Sequence, residues 1–494
     1  MNRRNYTVHL ALAAALVLLA AVAGQVSRWG WRGHVVGPQL NVRVETPHGV
    51  GGGLAPGEGG VYAVGPESNY RHEVMVRFKH GVSEERVQAI AARLHDRAED
   101  EIESVDGLWA IEDENGETQD QVVRDYASLP EVEYAEPNEV IQAEPDADTP
   151  AGLASSAPGA RLVADLDGGP NDPLLNEQWG LINTGQRDGK AQADISALAA
   201  WSKTTGNDKV VVAVLDSGVD YTHPDLMNNI WHRPPDMEMY FDRQLGVIDD
   251  YNGFSAVGTA DRDPMDENGH GTHCAGIIGA EGDNAEGIAG VNWKVEIMPL
   301  KFMGRGGFGT TKDAIEAINY TVERKGEGVN VRVISASWGS RQKSKALEDA
   351  IRKAGEADIL FVAAAGNDSE DADRTPHFPA NYQLPNVVSV AALDRNDRLA
   401  SFSNYGAKNV HVAAPGKEIL STWLDGQYQE HSGTSMATPF VAGVAALVLS
   451  VEPNLTVKEL RERLFTTVDK LDTLQGKVST GGRVNAARAV GAIR

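Results

Sequence analysis

Cysteine and positive charge are both scarce in this chain. Of 494 residues one is cysteine, Cys274, so no intramolecular disulfide can form. The 45 Lys and Arg residues are outnumbered by 70 Asp and Glu residues, and the formal net charge of −25 argues against nucleic acid as a partner. After the N-terminal segment, the sequence has no apolar run long enough to span a bilayer. A chain of this size without disulfides is expected to rely on a large core or on bound metal ions.

The N-terminal residues have the composition of a secretory signal. Arg3 and Arg4 precede an apolar run from about Leu10 to Ala23, and Ala21–Val22–Ala23 fits a small-residue cleavage site. An uncleaved membrane anchor is the alternative, because the run is close to the length that spans a bilayer. We expect residues 1–24 to be a signal peptide that is removed on export.

Three segments separate this signal from the largest domain. Residues 25–69 are rich in Gly and predict a spacer, whereas residues 70–143 have the order strand, helix, strand, helix, strand of a small α+β domain. Residues 144–169 are rich in Ala, Asp, Gly, Ser and Pro and predict an exposed linker.

Residues 170–494 alternate between apolar runs of strand length and helical patterns. The strand-like runs are 210–215, 331–334, 359–364, 386–392 and 410–414, and the helical patterns between them are 270–278, 311–325 and 347–357. Buried strands that alternate with helices predict an α/β fold: a doubly wound, mostly parallel sheet with helices on both faces. Sites in such sheets form at the carboxyl ends of the strands.

Four polar side chains stand at the edges of these elements. Asp216 ends the first apolar run, Asn367 follows another, and His270 begins a helix of small residues. Ser435 follows Gly433–Thr434 at the start of a long apolar run, so it would lie at a helix N-terminus, where free N–H groups favour developing negative charge. A serine nucleophile, a histidine base, a carboxylate that orients the base and an amide donor would together form an acyl-transfer site.

Each of these residues also has a structural interpretation. Ser435 alone could be a helix cap, Asp216 a turn cap, and Asn367 a loop residue or a glycosylation acceptor. His270 and His273 would share one helix face and could bind a metal, although the Glu of known zinc-binding helices is missing. Only the set of four favours catalysis.

Four motifs carry a resemblance to a known family. They are Asp216–Ser217–Gly218, Gly269–His270–Gly271–Thr272–His273, Ala365–Gly366–Asn367 and Gly433–Thr434–Ser435–Met436–Ala437–Thr438–Pro439. In this order they resemble the signatures of subtilisin-like serine proteases (subtilases), and of the thermitase-like members in particular. The resemblance extends from about Asn171 to the end of the chain, and the small domain resembles the propeptide inhibitor of that family.

The resemblance implies a role for each residue. Ser435 would attack the scissile carbonyl, His270 would take its proton and give it to the leaving amine, and Asp216 would hold the imidazole. Asn367 and the Ser435 N–H would bind the oxyanion. The implied protein is a secreted serine endopeptidase of broad specificity, made as a self-processing zymogen with its own propeptide as intramolecular inhibitor. It would act on proteins or peptides, and we expect a monomer with no membrane contact beyond the signal.

Two other classes of function stay open. One is a catalytically silent scaffold that keeps the fold, although the complete set of four residues argues against it. The other is an esterase or lipase, but the serine motif lacks the second Gly of the nucleophile elbow, and the order of the triad residues differs.

A short segment after the strand at 331–334 resembles the family's substrate-binding edge. Ser337, Trp338 and Gly339 would pair through their backbone with an extended peptide, which predicts broad specificity with an apolar preference. Trp338 is alternatively a core residue.

Two groups of oxygen ligands predict structural calcium, and no cofactor is expected for catalysis. Asp261, Asp263 and Asp266 crowd one short loop, which either binds a hard divalent cation, as in the family's calcium loop before the His motif, or is simply solvated. The second group resembles the family's tight calcium site, with side chains and carbonyls from distant segments: Asp172, Asp225, Glu281, Asn284, Glu286 and Ile288.

Overall fold

The computed structural model describes residues 73–143, 146–147, 169–243, 246–257 and 262–493. The predicted signal peptide and spacer, and all of the predicted linker except residues 146, 147 and 169, lie outside the described residues.

The small domain is a four-stranded antiparallel sheet with two helices. Its elements are β1 (Glu73–Phe78), α1 (Glu84–Leu94), β2 (Asp96–Glu101), β3 (Leu108–Asp113), α2 (Gln119–Ala127) and β4 (Val132–Pro137), with β5 (Val140–Gln142) following. The strand order is β2-β3-β1-β4. The edge strand β2 is absent from the sequence prediction because its residues are polar, although Asp96, Ala98 and Asp100 alternate as buried positions.

The sheet of the small domain is apolar on both faces. Val74 and Val76 pack with α1 and α2 in the domain's own core. Met75, Leu108 and Ala110 point the other way and join a core of the large domain. This two-sided burial explains why β1 is a nearly continuous apolar run.

The large domain is built on a nine-stranded sheet of order β18-β19-β15-β14-β13-β12-β6-β10-β9. All neighbours are parallel except β18 and β19. The strands of the large domain are β6 (Gly206–Asp216), β7 (Tyr240–Asp242), β8 (Gly246–Ile248), β9 (Phe254–Ser255), β10 (Lys294–Lys301), β11 (Phe308–Thr310), β12 (Val331–Ala336), β13 (Leu360–Ala364), β14 (Val387–Leu393), β15 (Val412–Pro415), β16 (Ile419–Trp423), β17 (Gln427–His431), β18 (Asp469–Lys470) and β19 (Gly482–Arg483).

Helices cover both faces of this sheet. They are α3 (Ala197–Trp201), α4 (His270–Gly279), α5 (Thr311–Gly326), α6 (Lys345–Glu356), α7 (Thr434–Val451), α8 (Val457–Thr466) and α9 (Ala486–Ala489). Val212 and Val214 of β6 pack towards α4 and α7, whereas Val211 and Ala213 pack towards α5 and α6. The predicted fold class is therefore confirmed. Contrary to the expectation that no later segment could span a bilayer, helix α7 is long and apolar enough to do so by length and composition. It is 89% buried inside the protein, as a core helix is.

Carboxylates and amides of the small domain cap helices of the large domain. Glu136, at the end of β4, accepts hydrogen bonds from Ser344 Oγ (2.5 Å) and from the N–H groups of Lys345 (2.8 Å) and Ala346 (3.0 Å) at the start of α6. Asn138 Oδ1 accepts from Lys312 N (2.9 Å) at the start of α5. Both contacts satisfy helix N-terminal donors that would otherwise be left open.

A buried group of acidic residues lies between the domains. Asp100 of β2, Asp242 of β7 and Glu316 of α5 place carboxylate oxygens within 4.8 Å of one another, and all three residues are buried. Lys312 lies beside this group, with Nζ 3.3 Å from Glu73 Oε1 and 3.9 Å from Asp100 Oδ2. Burial raises the pKa of Asp100 and that of Glu316, so these two carboxyl groups hold their protons more tightly than in water.

Two glutamates of the small domain reflect this environment. Burial raises the pKa of Glu73 to about 7, with Lys312 opposing the rise, and burial raises the pKa of Glu103 to about 7. Glu103 faces α5, where its Oε2 accepts from Asn319 Nδ2 (3.1 Å). Each group binds its proton more tightly in the docked state than in water.

We expect docking of the small domain to weaken as pH rises. The raised pKa values of Glu73 and Glu103 mean that their contribution is complete below the ordinary value of 4.5 and is lost as pH rises through about 7. The measurement is the urea midpoint of the first unfolding transition between pH 5 and 8, in full-length protein carrying Ser435→Ala to keep the chain intact. The double variant Glu73→Gln, Glu103→Gln should show a flatter pH dependence, whereas an identical slope in both proteins would contradict the assignment.

Candidate active site

A carboxylate and an imidazole meet where β6 ends and α4 begins. His270 Nδ1 donates to Asp216 Oδ1 over 2.8 Å, and the same oxygen accepts from Ser217 N (2.7 Å). Asp216 is fully buried, whereas His270 is partly accessible. The first turn of α4 lies so close to the residues after β6 that position 271 must be glycine. A Cβ on Gly271 would lie 2.1 Å from the carbonyl oxygen of Gly218. The buried carboxylate therefore fixes the tautomer and direction of the ring.

Asp266 holds this junction together. Its Oδ1 accepts from Ser217 Oγ (3.0 Å) and from the N–H groups of Asn268 (2.8 Å) and Gly269 (3.0 Å). Its Oδ2 accepts from Thr272 N (3.0 Å) and Thr272 Oγ1 (2.7 Å). The five bonds tie the loop before α4 to the residue that follows Asp216.

Two of the three carboxylates of the predicted calcium loop, Asp263 and Asp266, belong to the described residues. Asp266 is buried and its two oxygens accept from the five donors, and its role as a calcium ligand stays a prediction. Asp263 is exposed and accepts from Tyr221 Oη (3.1 Å). Asp261 lies outside the described residues.

Ser435 is the second residue of α7 and is buried at the helix N-terminus. Its Oγ donates to Ser337 O (3.0 Å), and Ser337 Oγ donates back to Ser435 O (2.7 Å). This reciprocal pair ties the start of α7 to the residue that follows β12.

Asn367 lies beside this helix start with its amide fixed in one orientation. Its Oδ1 accepts from Thr434 N (2.8 Å) and Thr434 Oγ1 (3.0 Å). Its Nδ2 is buried and, among the described residues, has no hydrogen-bond partner. Gly366 has a φ of +104° and donates its N–H to Thr434 Oγ1 (3.1 Å), so the turn is built around the threonine. An oriented and unused donor next to a serine suits a ligand with a negatively charged oxygen.

The segment after the small domain runs along the same cleft. Strand β5 pairs antiparallel with β11, with Ile141 opposite Gly309, and Ala143 N donates to Gly307 O (2.7 Å). On its other side Ala143 bridges to Trp338 in antiparallel fashion. The segment is thus held between two backbone edges, of which only Ser337–Gly339 is indicated by a sequence motif. The edge at β11 was missed, and its only sequence signal is the Gly306–Gly307 turn before a three-residue strand.

Trp338 contributes its backbone to the cleft but not its side chain. The indole is fully buried, its Nε1 donates to Leu215 O (2.9 Å), and its ring lies 4.7 Å from that of Phe302. Gly339 has no room for a side chain, because a Cβ there would lie 2.2 Å from His377 Nε2. The core interpretation of Trp338 is therefore correct for the side chain.

The second predicted calcium group does come together. Asp225 is fully buried, with Oδ1 accepting from Asn284 Nδ2 (2.8 Å), Oδ2 from Ile288 N (2.9 Å), and its carbonyl from Glu281 N (2.8 Å). Asn284 Oδ1 accepts from Glu286 N (2.8 Å).

Asp172 closes the group from the N-terminal end of the large domain. Its Oδ2 accepts from Asp283 N (2.9 Å), whereas its Oδ1 is buried and has no partner among the described residues. Burial raises the pKa of Asp172 and of Asp225 to about 6, and Asp172 raises that of Asp225 further. Two buried carboxylates with an orphaned oxygen fit a hard divalent cation, which would satisfy that oxygen.

Comparisons with known proteins agree with both domains. The profile of the Subtilase family matches residues 207–487, and that of the Fervidolysin N-terminal prodomain matches residues 61–138. "Thermitase" of Thermoactinomyces vulgaris is 35% identical over 322 residues, which cover 65% of this chain and 99% of that protein.

Two further relatives are longer than the part they share with this chain. The "Thermophilic serine proteinase" of Bacillus sp. (strain AK1) is 40% identical over 291 residues, covering 59% of this chain and 64% of that protein. "Subtilisin-like protease 2" of Plasmodium falciparum (isolate 3D7) is 35% identical over 294 residues, covering 58% of this chain and 21% of that protein.

We expect Trp338→Ala to lower the free energy of unfolding by about 3–5 kcal/mol, because it empties a buried aromatic position. Trp338→Phe should cost less, since it keeps most of the volume and loses only the hydrogen bond to Leu215 O. Both are measured by urea unfolding in a Ser435→Ala background. A loss below about 1 kcal/mol for Trp338→Ala would mean that the indole faces substrate.

Proposed function

Because the chain belongs to the subtilase family, we propose that it is a serine endopeptidase that hydrolyses peptide bonds through Asp216, His270 and Ser435. The observation that carries the proposal is the buried and unused Nδ2 of Asn367 beside Ser435. A buried amide donor without a partner costs free energy, so its retention is best explained by a ligand oxygen that accepts from it.

The first chemical step is attack by Ser435. Its Oγ forms a bond to the scissile carbonyl carbon, its proton passes to His270 Nε2, and the carbonyl electron pair moves to oxygen. Asp216 accepts from His270 Nδ1 and stabilises the imidazolium. The present hydrogen bond from Ser435 Oγ to Ser337 O must open for this transfer.

Asn367 Nδ2 and the Ser435 N–H would then bind the oxyanion. Thr434 holds the amide oxygen of Asn367, so the amide nitrogen is aimed before substrate arrives. Removal of one such donor costs about 10²–10³ in kcat in comparable sites. The intermediate then collapses: the C–N bond breaks, His270 returns the proton to the leaving amine, and Ser435 keeps the acyl group until water repeats the sequence.

The small domain would act as an intramolecular inhibitor in a self-processing zymogen. Its β5 segment and Ala143 fill the cleft by backbone pairing with β11 and Trp338. Because backbone groups make these contacts, a substrate bound in the same way would be accepted with broad specificity. Residues 1–24 would direct secretion. A monomer remains our expectation.

Calcium would stabilise the large domain through Asp172, Asp225 and Asn284. The carbonyls of Glu281, Glu286 and Ile288 are the remaining predicted ligands. The cation would neutralise two buried carboxylates and join the segment at Asp172 to the loop at 281–288. With a single cysteine, the chain has no disulfide that could make such a cross-link. It takes no part in peptide hydrolysis.

We expect Ser435→Ala to abolish both self-processing and peptide hydrolysis. Wild type and variant are expressed side by side and compared by intact mass and N-terminal mapping; only the wild type should lose the small domain. Turnover of a peptide substrate should fall by about 10⁶-fold. Ser450→Ala, on the same helix with its hydroxyl bonded to Leu447 O, is the matched control and should process normally. Full-length wild type without peptidase activity would favour a silent scaffold instead.

Chelation of calcium should lower the melting temperature by about 4 °C, the shift expected when a site about 100-fold saturated is emptied in a domain of this size. The proteins carry Ser435→Ala to prevent self-digestion. Asp172→Asn and Asp225→Asn should melt lower and respond little to chelator, whereas Asp263→Asn should respond like the parent. An unchanged melting temperature in the parent would count against the site, and loss of the response in Asp263→Asn would move the site to the loop at 262–268.

A further inference from the structure

The described part of the linker makes specific contacts beyond the cleft. Asp146 Oδ2 lies 2.7 Å from His431 Nδ1, and Asp146 Oδ1 accepts from Ser432 N (3.1 Å). Ala147 N donates to Ser432 O (3.0 Å). The Asp146 carboxylate therefore contacts the His431 imidazole and the Ser432 N–H. The main chain of Ala147 is held by the Ser432 carbonyl.

These contacts are made with the segment that leads into Ser435, whereas β5 pairs with β11. Ala143 is anchored to Gly307 and Trp338, next to the Ser337 carbonyl that accepts from Ser435 Oγ. Asp146 is anchored at Ser432, three residues before Ser435. A cut by Ser435 between these two anchors would leave Asp146 on the leaving-group side of the broken bond. Asp146 is then the first, second or third residue on the leaving-group side.

The His431 ring is held in a fixed position beside the Asp146 carboxylate. Its ring is stacked on Trp423 with centroids 4.5 Å apart, and its two nitrogens face acceptor oxygens, Asp146 Oδ2 and Gln429 Oε1 (3.3 Å). The neighbouring His273 is buried and its pKa is lowered well below the ordinary value, so it stays neutral beside His431.

We propose that His431 and the N–H of Ser432 form a subsite that prefers an acidic residue on the leaving-group side of the scissile bond. The proposal rests on the proposed peptidase function and names the substrate class of that site: peptides with Asp or Glu within three residues after the cut. The intact linker fills this subsite with its own Asp146, and removal of the linker opens it. A charge-assisted pair that is only partly exposed is worth more than a surface ion pair, so the preference should be measurable.

The experiment compares matched peptides with the processed wild-type enzyme. Internally quenched peptides share one sequence before the cut and carry Asp or Asn at the first, second or third position after it. We expect kcat/KM for Asp to exceed that for Asn by about tenfold at one of these positions. Equal values at all three would overturn the subsite while leaving the peptidase intact, whereas no cleavage of any peptide would overturn the peptidase function itself.

Variants assign the preference to His431. His431→Gln should bring the Asp-to-Asn ratio at that position to about one, and His431→Lys should restore a ratio well above one. His232→Gln removes an exposed imidazole far along the chain, stacked on Tyr251, and should keep the wild-type ratio. A ratio that survives in His431→Gln would overturn the assignment.

Discussion

The hydrogen bond between Asp216 and His270 sets the main constraint on this fold. It needs the last residue of a buried strand and the first residue of a helix to meet without water between them. Asp266 enforces that meeting by binding both the residue after Asp216 and the first turn of α4, and Gly271 gives the space. Because parallel strands all point their carboxyl ends to one edge, Asn367 and Ser337 lie at that edge after β13 and β12. The hydrogen bonds between Ser435 and Ser337 bring the start of α7 to the same edge.

The sequence predicts the central sheet well because its strands are buried on both faces. Such strands are apolar without interruption, so 210–215 and 386–392 stand out and agree within a few residues with β6 and β14. Strand β2 shows the opposite case. Its residues are polar, and it forms a strand because β3 offers a free edge to pair with, which no pattern within β2 reveals.

The candidate site was predictable in its residue types but not in its contacts. The motifs around Asp216, His270 and Ser435 are local, and so they can be read from the chain. Whether Asp266 would bind a cation or five hydrogen-bond donors depends on Ser217 and Thr272 reaching it from either side. The direction of the Trp338 indole likewise depends on a carbonyl of β6, which is more than a hundred residues away.

The face of the small sheet that carries Met75, Leu108 and Ala110 is dry only while the two domains stay together. After a cut in the linker, departure of the small domain would expose that face and leave the domain with a single modest core, too little burial for a unit of its size to be robust. A loosened chain is what a protease digests most readily. The small domain would therefore inhibit strongly while the chain is intact. Once the linker is cut, the released domain would be digested and could not rebind, so activation would be irreversible.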